Sequence, residues 1–361
     1  MVEKDLFSDF YKGKRVLVTG HTGFKGSWLS LWLSLLGASV IGYSLEPYSN
    51  KGVYSLTNIK EKIYDVIGDI RDQNKLKKVF HEYQPEIIFH LAAQPLVGES
   101  YLLPYYTYET NLMGTLNVLA CIKEAKTPQT GIFITTDKCY DNKEQIWGYK
   151  ETDALGGYDP YSSSKAACEI AINSWNKSFF NPNKIEEHQK KIASVRAGNV
   201  IGGGDWSKDR LIPDCIRALE TGIPIEIRNP KAIRPWQFVL EVLYGYILLA
   251  KKLSENPKKY SGSWNFGPSL SSVVTVEDLA NKLIGSYGCG SYIDISESQE
   301  FHESQLLLLD ISKAKFLLGW EPKLTIDEAI QMTTFWYYNY NRRDVYDICK
   351  TQIIEYSKRL S

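Results

Sequence analysis

The sequence has no long apolar segment and no excess of charge of either sign. Its 42 Lys and Arg residues balance 42 Asp and Glu residues, so the formal net charge is zero. That balance gives no support to binding of nucleic acid or of an anionic membrane. No apolar run approaches the ~20 residues that span a bilayer, and residues 1–14 lack the apolar centre of a signal peptide. We therefore expect a cytoplasmic protein without a membrane segment.

Cysteine is scarce as well, with six residues and no CxxC pair among them. This usage argues against a disulfide framework and against a zinc site, and it favours buried thiols in a reducing compartment. We expect no metal centre. What the chain does have is 361 residues with a 43% apolar share, enough for a sizeable core and for two domains at roughly 100–200 residues each.

Short runs of β-branched residues alternate with helical patterns through the first half of the chain. Strands are predicted at residues 15–19, 39–45, 64–70, 86–93, 131–136 and 192–201, with helices at 24–36, 74–83, 105–125 and 161–180. Strands that are apolar on both faces and separated by helices predict a doubly wound, mainly parallel Rossmann sheet in an α/β fold. After residue 202 the pattern loosens: helices are predicted at 211–221 and 236–253, and strands at 224–228 and 263–266.

The turn between the first strand and the first helix carries Gly20, Gly23 and Gly26 within VTGHTGFKGSW. Gly20 permits a tight turn, Gly23 lets a pyrophosphate approach the backbone, and Gly26 lets the helix pack closely on the strand. The free N–H groups at the helix N-terminus would then face the phosphates. This pattern predicts a dinucleotide site; a glycine-rich loop without a ligand is the alternative.

The residues leave open which dinucleotide binds. The second strand ends in polar and apolar residues, and Glu46 is the nearest carboxylate for the ribose hydroxyl of NAD. Lys25, inside the glycine loop, would favour the 2′-phosphate of NADP or would simply face solvent. Asp69, after the third strand, is a candidate partner for the adenine or an ordinary cap.

Tyr161 and Lys165 lie four residues apart in a predicted helix, so both side chains share one face. A nearby ammonium group lowers the pKa of a phenol, which is ordinarily ~10. Tyr161 could then take a proton from a sugar hydroxyl while hydride leaves the same carbon, and Lys165 could hold the nicotinamide ribose. A solvated helix face is the alternative.

These features resemble the extended short-chain dehydrogenase/reductases, and more closely the nucleotide-sugar 4,6-dehydratases of the CDP-glucose type. The similarity extends from the first strand to LGWEP at 318–322. It is carried by GHTGFKGSW at 20–28, LAAQPLV at 91–97, TTDKCYDN at 135–142, YDPYSSSKA at 158–166, RAGNVIGGGDW at 196–206 and RPWQFVLE at 234–241. The Asp137–Lys138 pair is typical of the CDP-glucose type, whereas related dehydratases carry Asp-Glu at this place. On the residues alone, a turn that ends the strand, with Asp137 as a cap and Lys138 in solvent, is the alternative.

The resemblance implies NAD as the cofactor and a nucleotide sugar, most simply CDP-glucose, as the substrate. Tyr161 and Lys165 would act with Thr136, which would bond the 4-oxygen, with Asp137 as the acid for the departing 6-hydroxyl, and with Lys138 assisting at C5. Cofactor contacts would also come from Gly20, Thr22, Gly23, Phe24, Lys25, Gly26, Asp69, Ile70, Ala92 and Ala93. The substrate pyrophosphate would meet Asn199, Arg210 and Arg234.

The resemblance also implies a division of the chain and an assembly. An NAD-binding Rossmann domain would comprise residues 1–202 with 232–268, and a smaller C-terminal α/β substrate-binding domain residues 203–231 with 269–361. Members of this family commonly form homodimers through paired helices, here 105–125 and 161–180, and their products feed bacterial surface polysaccharides. Two departures from the family pattern, Phe238 in place of a histidine and Gly98-Glu99 in place of a basic residue, are expected to affect the substrate pocket.

Two other functions are compatible with the residues. Epimerisation or simple oxidation and reduction would need Tyr161 and Lys165 but no acid at Asp137. A non-catalytic protein that binds a dinucleotide or nucleotide sugar would need neither side chain, and the intact tyrosine–lysine pair disfavours it.

Overall fold

A parallel sheet of seven strands forms the centre of the computed structural model, which describes residue 7 and residues 9–269, 272–296 and 306–360. The strands are β1 (Arg15–Thr19), β2 (Ser39–Ser44), β3 (Tyr64–Ile67), β4 (Ile87–His90), β5 (Gln129–Ile134), β6 (Lys190–Ala197) and β11 (Gly262–Phe266). Their spatial order is β11-β6-β5-β4-β1-β2-β3. The order reverses between β1 and β4, and ligands of such sheets bind in the crevice at that point. The predicted doubly wound α/β fold is confirmed.

Helices cover both faces of this sheet, and central strands such as β4 and β5 are buried at every position. The helices are α1 (Phe24–Leu35), α2 (Val53–Leu56), α3 (Gln73–Tyr83), α4 (Val97–Leu102), α5 (Pro104–Tyr108), α6 (Gly114–Glu124), α7 (Pro160–Ser178), α8 (Ile185–His188), α9 (Leu211–Thr221), α10 (Val239–Glu255) and α11 (Pro257–Tyr260). Two apolar clusters pack against the sheet. One contains Trp28 and Trp32, and the other contains Leu17 and Phe133.

The later part of the chain adds three small strand pairs and three helices. Parallel pairs join β7 (Val200–Ile201) to β10 (Gln237–Phe238) and β8 (Ile225–Ile227) to β13 (Tyr292–Asp294), and β9 (Ile233–Arg234) runs antiparallel to β12 (Val274–Thr275). The helices are α12 (Val276–Tyr287), α13 (Ile326–Asn339) and α14 (Val345–Lys358). They share one apolar cluster with α1 and α10; for example, the rings of Trp32 and Tyr356 lie 6.0 Å apart.

Several predicted elements differ in the structure. The strands predicted at 64–70 and 86–93 end early, at Ile67 and His90. The predicted strand 192–201 ends at Ala197, because the chain turns at Gly198, against Pro235, and then pairs Val200–Ile201 with Gln237–Phe238. The same pairing delays the start of α10, predicted at residue 236, to Val239. The predicted helix 105–125 is a series of short pieces, α5, a π-helical turn at Glu109–Met113 and α6.

Within the described residues, no helix combines the length and apolar character needed to cross a bilayer. The same part of the chain contains no group of three or more His, Cys, Asp or Glu side chains placed to hold a metal ion. All six cysteines are free thiols, and all but Cys289 are buried.

Candidate active site

The glycine-rich turn has the close approaches that the sequence predicts. Gly20 has a φ of +77°, and a Cβ there would lie 2.8 Å from the Ala92 backbone nitrogen. A Cβ on Gly26 would lie 2.0 Å from the Gly20 carbonyl oxygen, so the first turn of α1 packs directly on the loop. Gly23, in contrast, is exposed, with only the Gly20 carbonyl oxygen near its Cβ position. The exposed backbone at Gly23, ahead of the α1 N-terminus, fits a pyrophosphate.

Side chains of the loop tie it to the neighbouring strands. The Thr22 hydroxyl lies 2.8 Å from the Ser44 hydroxyl and donates to the Leu45 carbonyl oxygen at 2.9 Å, at the end of β2. His21 is buried, and its Nε2 lies 2.5 Å from a carboxylate oxygen of Asp65 on β3. Burial lowers the pKa of His21, although Asp65 opposes that effect. No local pattern in the sequence predicts the pairing of His21 with Asp65, because the two residues lie 44 positions apart.

Lys25 is half-buried and lies within electrostatic range of Arg210 and Lys165. Burial, followed by the repulsion of these two cations, lowers the pKa of Lys25 to about 7. The side chain therefore faces the charged groups of the crevice, which disfavours the solvent-facing alternative for this lysine.

Asp69 follows β3 as predicted, and its carboxylate is engaged within its own turn. It lies 2.6 Å from a guanidinium nitrogen of Arg71 and accepts the Arg71 backbone N–H at 2.9 Å. The bond to Arg71 lowers the pKa of Asp69. Asp69 thus holds the turn after β3, whereas the cap of α3 is Asp72, whose side chain accepts the Lys75 backbone N–H. Ile70 is buried against Gly114, and Ala92 and Ala93 are half-buried after β4.

The phenol of Tyr161 meets the turn that follows β5. Thr136 lies close enough to Tyr161 to lower the pKa of its phenol, and the Thr136 hydroxyl donates to a carboxylate oxygen of Asp137 at 3.0 Å. Asp159 caps α7 by accepting the Ser162 backbone N–H at 2.9 Å, and this cap fixes where the helix begins. The structure thus brings Tyr161, Thr136 and Asp137 together at the end of β5.

Burial raises the pKa of Tyr161 to about 12, and Thr136 and Arg210 counteract this only in part. The lowering that the sequence analysis assigned to Lys165 is not found. The Lys165 ammonium instead donates to the Ile134 carbonyl oxygen at 3.1 Å, and burial lowers its own pKa. Lys165 is buried beside the end of β5, so it does lie at the same edge of the sheet as Tyr161.

Asp137 is buried, with 3% of its surface exposed. Burial raises the pKa of Asp137, although Lys138 and Thr136 oppose the increase. A raised pKa favours the protonated form, which is the form that a general acid requires. Lys138 follows in the same short 3₁₀ turn and is half-buried, and its backbone N–H donates to the Thr136 hydroxyl at 3.4 Å.

Two of the three residues predicted to meet the substrate, Arg234 and Arg210, lie near Asp137 and Tyr161. Arg234 is buried and close enough to lower the pKa of Asp137, and Arg210 acts in the same way on Tyr161. Arg210 is held by an ion pair with the buried Asp205 at 2.9 Å. Asn199 follows β6, and its carbonyl oxygen accepts the Gln237 backbone N–H at 2.9 Å. Two cations thus face the crevice, as an anionic substrate requires.

The two departures from the family pattern lie in different surroundings. Phe238 is fully buried in the main apolar cluster together with Trp236, so its packing is that of a core residue. Gly98 and Glu99 begin α4, where a Cβ on Gly98 would come within 4.0 Å of the Asp209 carboxylate.

Sequence comparison identifies the family of the chain. A family model described as GDP-mannose 4,6 dehydratase matches residues 17–333. The chain belongs to this family. A CDP-glucose 4,6-dehydratase of Salmonella typhimurium is 46% identical over 99% of this chain and 98% of its own length.

Solved structures of this family and its neighbours share the fold. A UDP-glucose 4-epimerase of Thermotoga maritima in complex with UDP-glucose superimposes with a TM-score of 0.78 at 23% identity, covering 91% of this chain and 100% of its own. A dTDP-glucose 4,6-dehydratase of Bacillus anthracis in complex with NAD gives 0.74 at 22% identity, covering 91% and 97%. At these identities the likeness establishes the fold alone.

Proposed function

We propose that the chain removes water from CDP-glucose to form CDP-4-keto-6-deoxyglucose. The observation that carries this proposal is the arrangement at the end of β5, where Thr136 lies close to the Tyr161 phenol and donates to the buried Asp137, with Lys138 next in the turn. The proposed base for the 4-hydroxyl and the proposed acid for the 6-hydroxyl therefore lie in the same crevice. The 46% identity to a CDP-glucose 4,6-dehydratase supports the same reaction and substrate.

In the first half of the reaction Tyr161 takes the proton of the 4-hydroxyl as hydride leaves C4. Thr136, which lies close to the phenol, holds the 4-oxygen while it becomes a ketone. Because burial raises the pKa of Tyr161, the phenolate depends on nearby positive charge, and Arg210 is one source.

In the second half the new ketone acidifies the C5 proton. Lys138 assists its removal, and Asp137 gives a proton to the 6-hydroxyl, which leaves as water. Asp137 is suited to this step because its burial favours the neutral acid. Hydride returns to C6 and a proton to C5, so the net change is the loss of one water molecule.

We propose NAD as the cofactor, held by the glycine turn at Gly20, Gly23 and Gly26, with Thr22, Phe24, Lys25, Asp69, Ile70, Ala92 and Ala93 around it. The exposed Gly23 backbone and the tight packing of Gly26 fit the pyrophosphate. When bound, NAD supplies the hydride acceptor and a positive charge that favours the Tyr161 phenolate. Lys165 orients the nicotinamide ribose, and Arg210, Arg234 and Asn199 bind the substrate pyrophosphate.

CDP-glucose that carries deuterium at C4 tests the reaction directly. We expect a 6-deoxy-4-keto product with the deuterium at C6 and no net consumption of NAD. Tyr161→Phe, which keeps the ring but removes the proton acceptor, should lose turnover. Absence of a 6-deoxy product from the unmodified protein would refute the proposal.

Epimerisation is the second candidate, since the fold is shared with a UDP-glucose 4-epimerase. Asp137→Asn separates the two reactions, because an asparagine keeps the acceptor for Thr136 but cannot protonate a leaving group. Dehydration should fall by roughly 10²–10⁴-fold, the usual contribution of a general acid. An unchanged rate, or inversion at C4 without loss of water, would favour the epimerase.

We further propose a homodimer formed through α4 to α7. Large apolar side chains are exposed on these neighbouring helices, namely Leu102, Tyr105, Met113 and Ile170. Exposed apolar groups of this size on adjacent helices are typical of a self-association surface. A second copy of the chain would cover them.

We also propose a cytoplasmic location. All six cysteines are free, and five of them are buried. Unpaired buried thiols are typical of proteins that reside in a reducing compartment.

A further inference from the structure

A buried ion pair lies behind the turn that carries Asp137 and Lys138. The Arg196 guanidinium, on β6, is 2.7 Å from the Glu169 carboxylate, on α7. The two side chains are only 3% and 1% exposed. The proposed chemistry uses neither residue, although Glu169 lies one helical turn beyond Lys165.

The Glu169 carboxylate contacts the residue that immediately precedes the turn. One of its oxygens accepts the Thr135 hydroxyl at 2.5 Å, and Thr135 immediately precedes Thr136. The other oxygen accepts Ser194 at 2.8 Å and Ser263 at 3.0 Å, in addition to Arg196. Burial would raise the pKa of Glu169, but Arg196 and these hydroxyls more than offset it and lower the pKa.

The Arg196 guanidinium reaches the residue that leaves the turn. It donates to the Tyr140 hydroxyl at 2.8 Å and lies over the Tyr140 ring, 4.9 Å from its centroid. The Tyr140 hydroxyl in turn donates to the Asn265 side-chain oxygen at 2.8 Å. Thr135 and Tyr140 bracket residues 136–139, so one ion pair holds both ends of the turn.

Stability alone is a weak reason for a buried ion pair. Removing two charges from water costs about as much as their attraction returns, and apolar replacements are often as stable. The pair instead fixes the orientation of the groups bonded to it. A guanidinium holds its N–H donors in a rigid planar arrangement, and a carboxylate accepts hydrogen bonds in defined directions. Here the donors and acceptors connect α7, which carries Tyr161, to the turn that carries Asp137.

We propose that the Glu169–Arg196 pair is a positioning device that sets Asp137 and Lys138 against Tyr161 for the loss of water. This inference rests on the proposed dehydration. Removal of hydride from C4 uses the turn only through Thr136, because Tyr161 and Lys165 lie on α7. Loss of water from C5 and C6 uses both Asp137 and Lys138 of the turn, so loosening the turn slows elimination more than it slows removal of hydride.

Thr135→Val and Tyr140→Phe test the proposal, since each cuts one link between the ion pair and the turn while keeping size and leaving both charges in place. Thr130→Val is the matched control for the first variant: Thr130 is buried on β5, the strand that Thr135 follows, and bonds the Ser254 hydroxyl at 2.9 Å, outside this network. Tyr11→Phe is the control for the second, since Tyr11 is buried and donates only to the Ile247 carbonyl oxygen at 2.6 Å.

Four quantities are measured for each variant with CDP-glucose and NAD: kcat, KM, the transient absorbance of reduced nicotinamide, and the unfolding temperature. We expect kcat to fall roughly tenfold to a hundredfold in the two test variants, with KM changed by less than about twofold. Reduced nicotinamide should accumulate in them, because hydride removal outpaces elimination. Unfolding temperatures should fall equally in test and control variants.

The outcomes distinguish this inference from the proposed function. If the test variants match their controls in kcat, or lose kcat without accumulating reduced nicotinamide, the pair has no selective effect on elimination and the positioning role is refuted. If the unmodified protein forms no 6-deoxy product, the dehydration itself is refuted and the positioning role with it.

Discussion

Glu241, at the start of α10, is a buried carboxyl whose ionisation should make stability depend on pH. It is 2% exposed, and its carboxylate accepts the backbone N–H groups of Lys323 and Leu324 at 2.5 and 2.8 Å. Burial raises the pKa of Glu241 from 4.5 to about 7, although the two N–H groups oppose the shift. At ~1.36 kcal/mol per pKa unit, that increase corresponds to roughly 3 kcal/mol.

The direction of the effect follows from the pH range in which Glu241 is protonated in the folded state but not in the unfolded state. Between pH 4.5 and about 7, unfolded Glu241 is ionised while the folded form keeps its proton. The stabilising contribution is therefore full below pH 4.5 and is lost as the pH rises through about 7. Glu241→Gln keeps an oxygen for both N–H groups and does not titrate.

Urea unfolding of the protein and of Glu241→Gln, at pH values across this window, measures the effect. The free energy of unfolding of the unmodified protein, minus that of the variant, should fall by about 3 kcal/mol from the acid to the neutral side. Glu355→Gln, at an exposed glutamate on α14, controls for the substitution itself. A difference that stays constant across the window would refute the argument.

Three further substitutions test the packing. Gly26→Ala should abolish dinucleotide binding in titration calorimetry, since its Cβ would lie 2.0 Å from the Gly20 carbonyl oxygen; retained affinity would contradict the assigned loop. Gly203→Ala should lower the free energy of unfolding by about 1–3 kcal/mol or more, because the new methyl group would lie 2.0 Å from the buried Trp336 ring. Ile170→Glu, on the exposed face of α7, should halve the mass measured by light scattering, whereas an unchanged dimer would place the interface elsewhere.

The strands and the glycine turn could be predicted because their signals are local. Val16–Val18 and Ile87–Phe89 are apolar at every position, which is typical of strands covered on both faces. The errors occur where distant segments intervene. The end of the strand at Ala197 depends on the pairing of residues 200–201 with residues 237–238, and no local pattern carries that information.

The residues of the site could be predicted from the sequence, but the shifts of their pKa values could not. The spacing of residues and the family resemblance predicted Tyr161, Lys165 and Asp137 as site residues. The structure brings all three to one edge of the sheet. The lowering of the Tyr161 pKa by Lys165 could not be judged from a spacing of four residues, because burial and the Lys165 bond to the Ile134 carbonyl oxygen decide it.

By itself, the sequence determined the alternation of buried strands and helices, the glycine turn, and the chemical groups available at the carboxyl ends of the strands. These depend on side-chain periodicity and on the conformational freedom of single residues, which neighbours along the chain decide. Only the tertiary structure decided that Glu169 and Arg196 pair behind the turn, that Lys25 lies within electrostatic range of Arg210 and Lys165, and that burial raises the pKa of Asp137. Contacts between residues far apart in the chain, and the loss of water around them, exist only once the chain has folded.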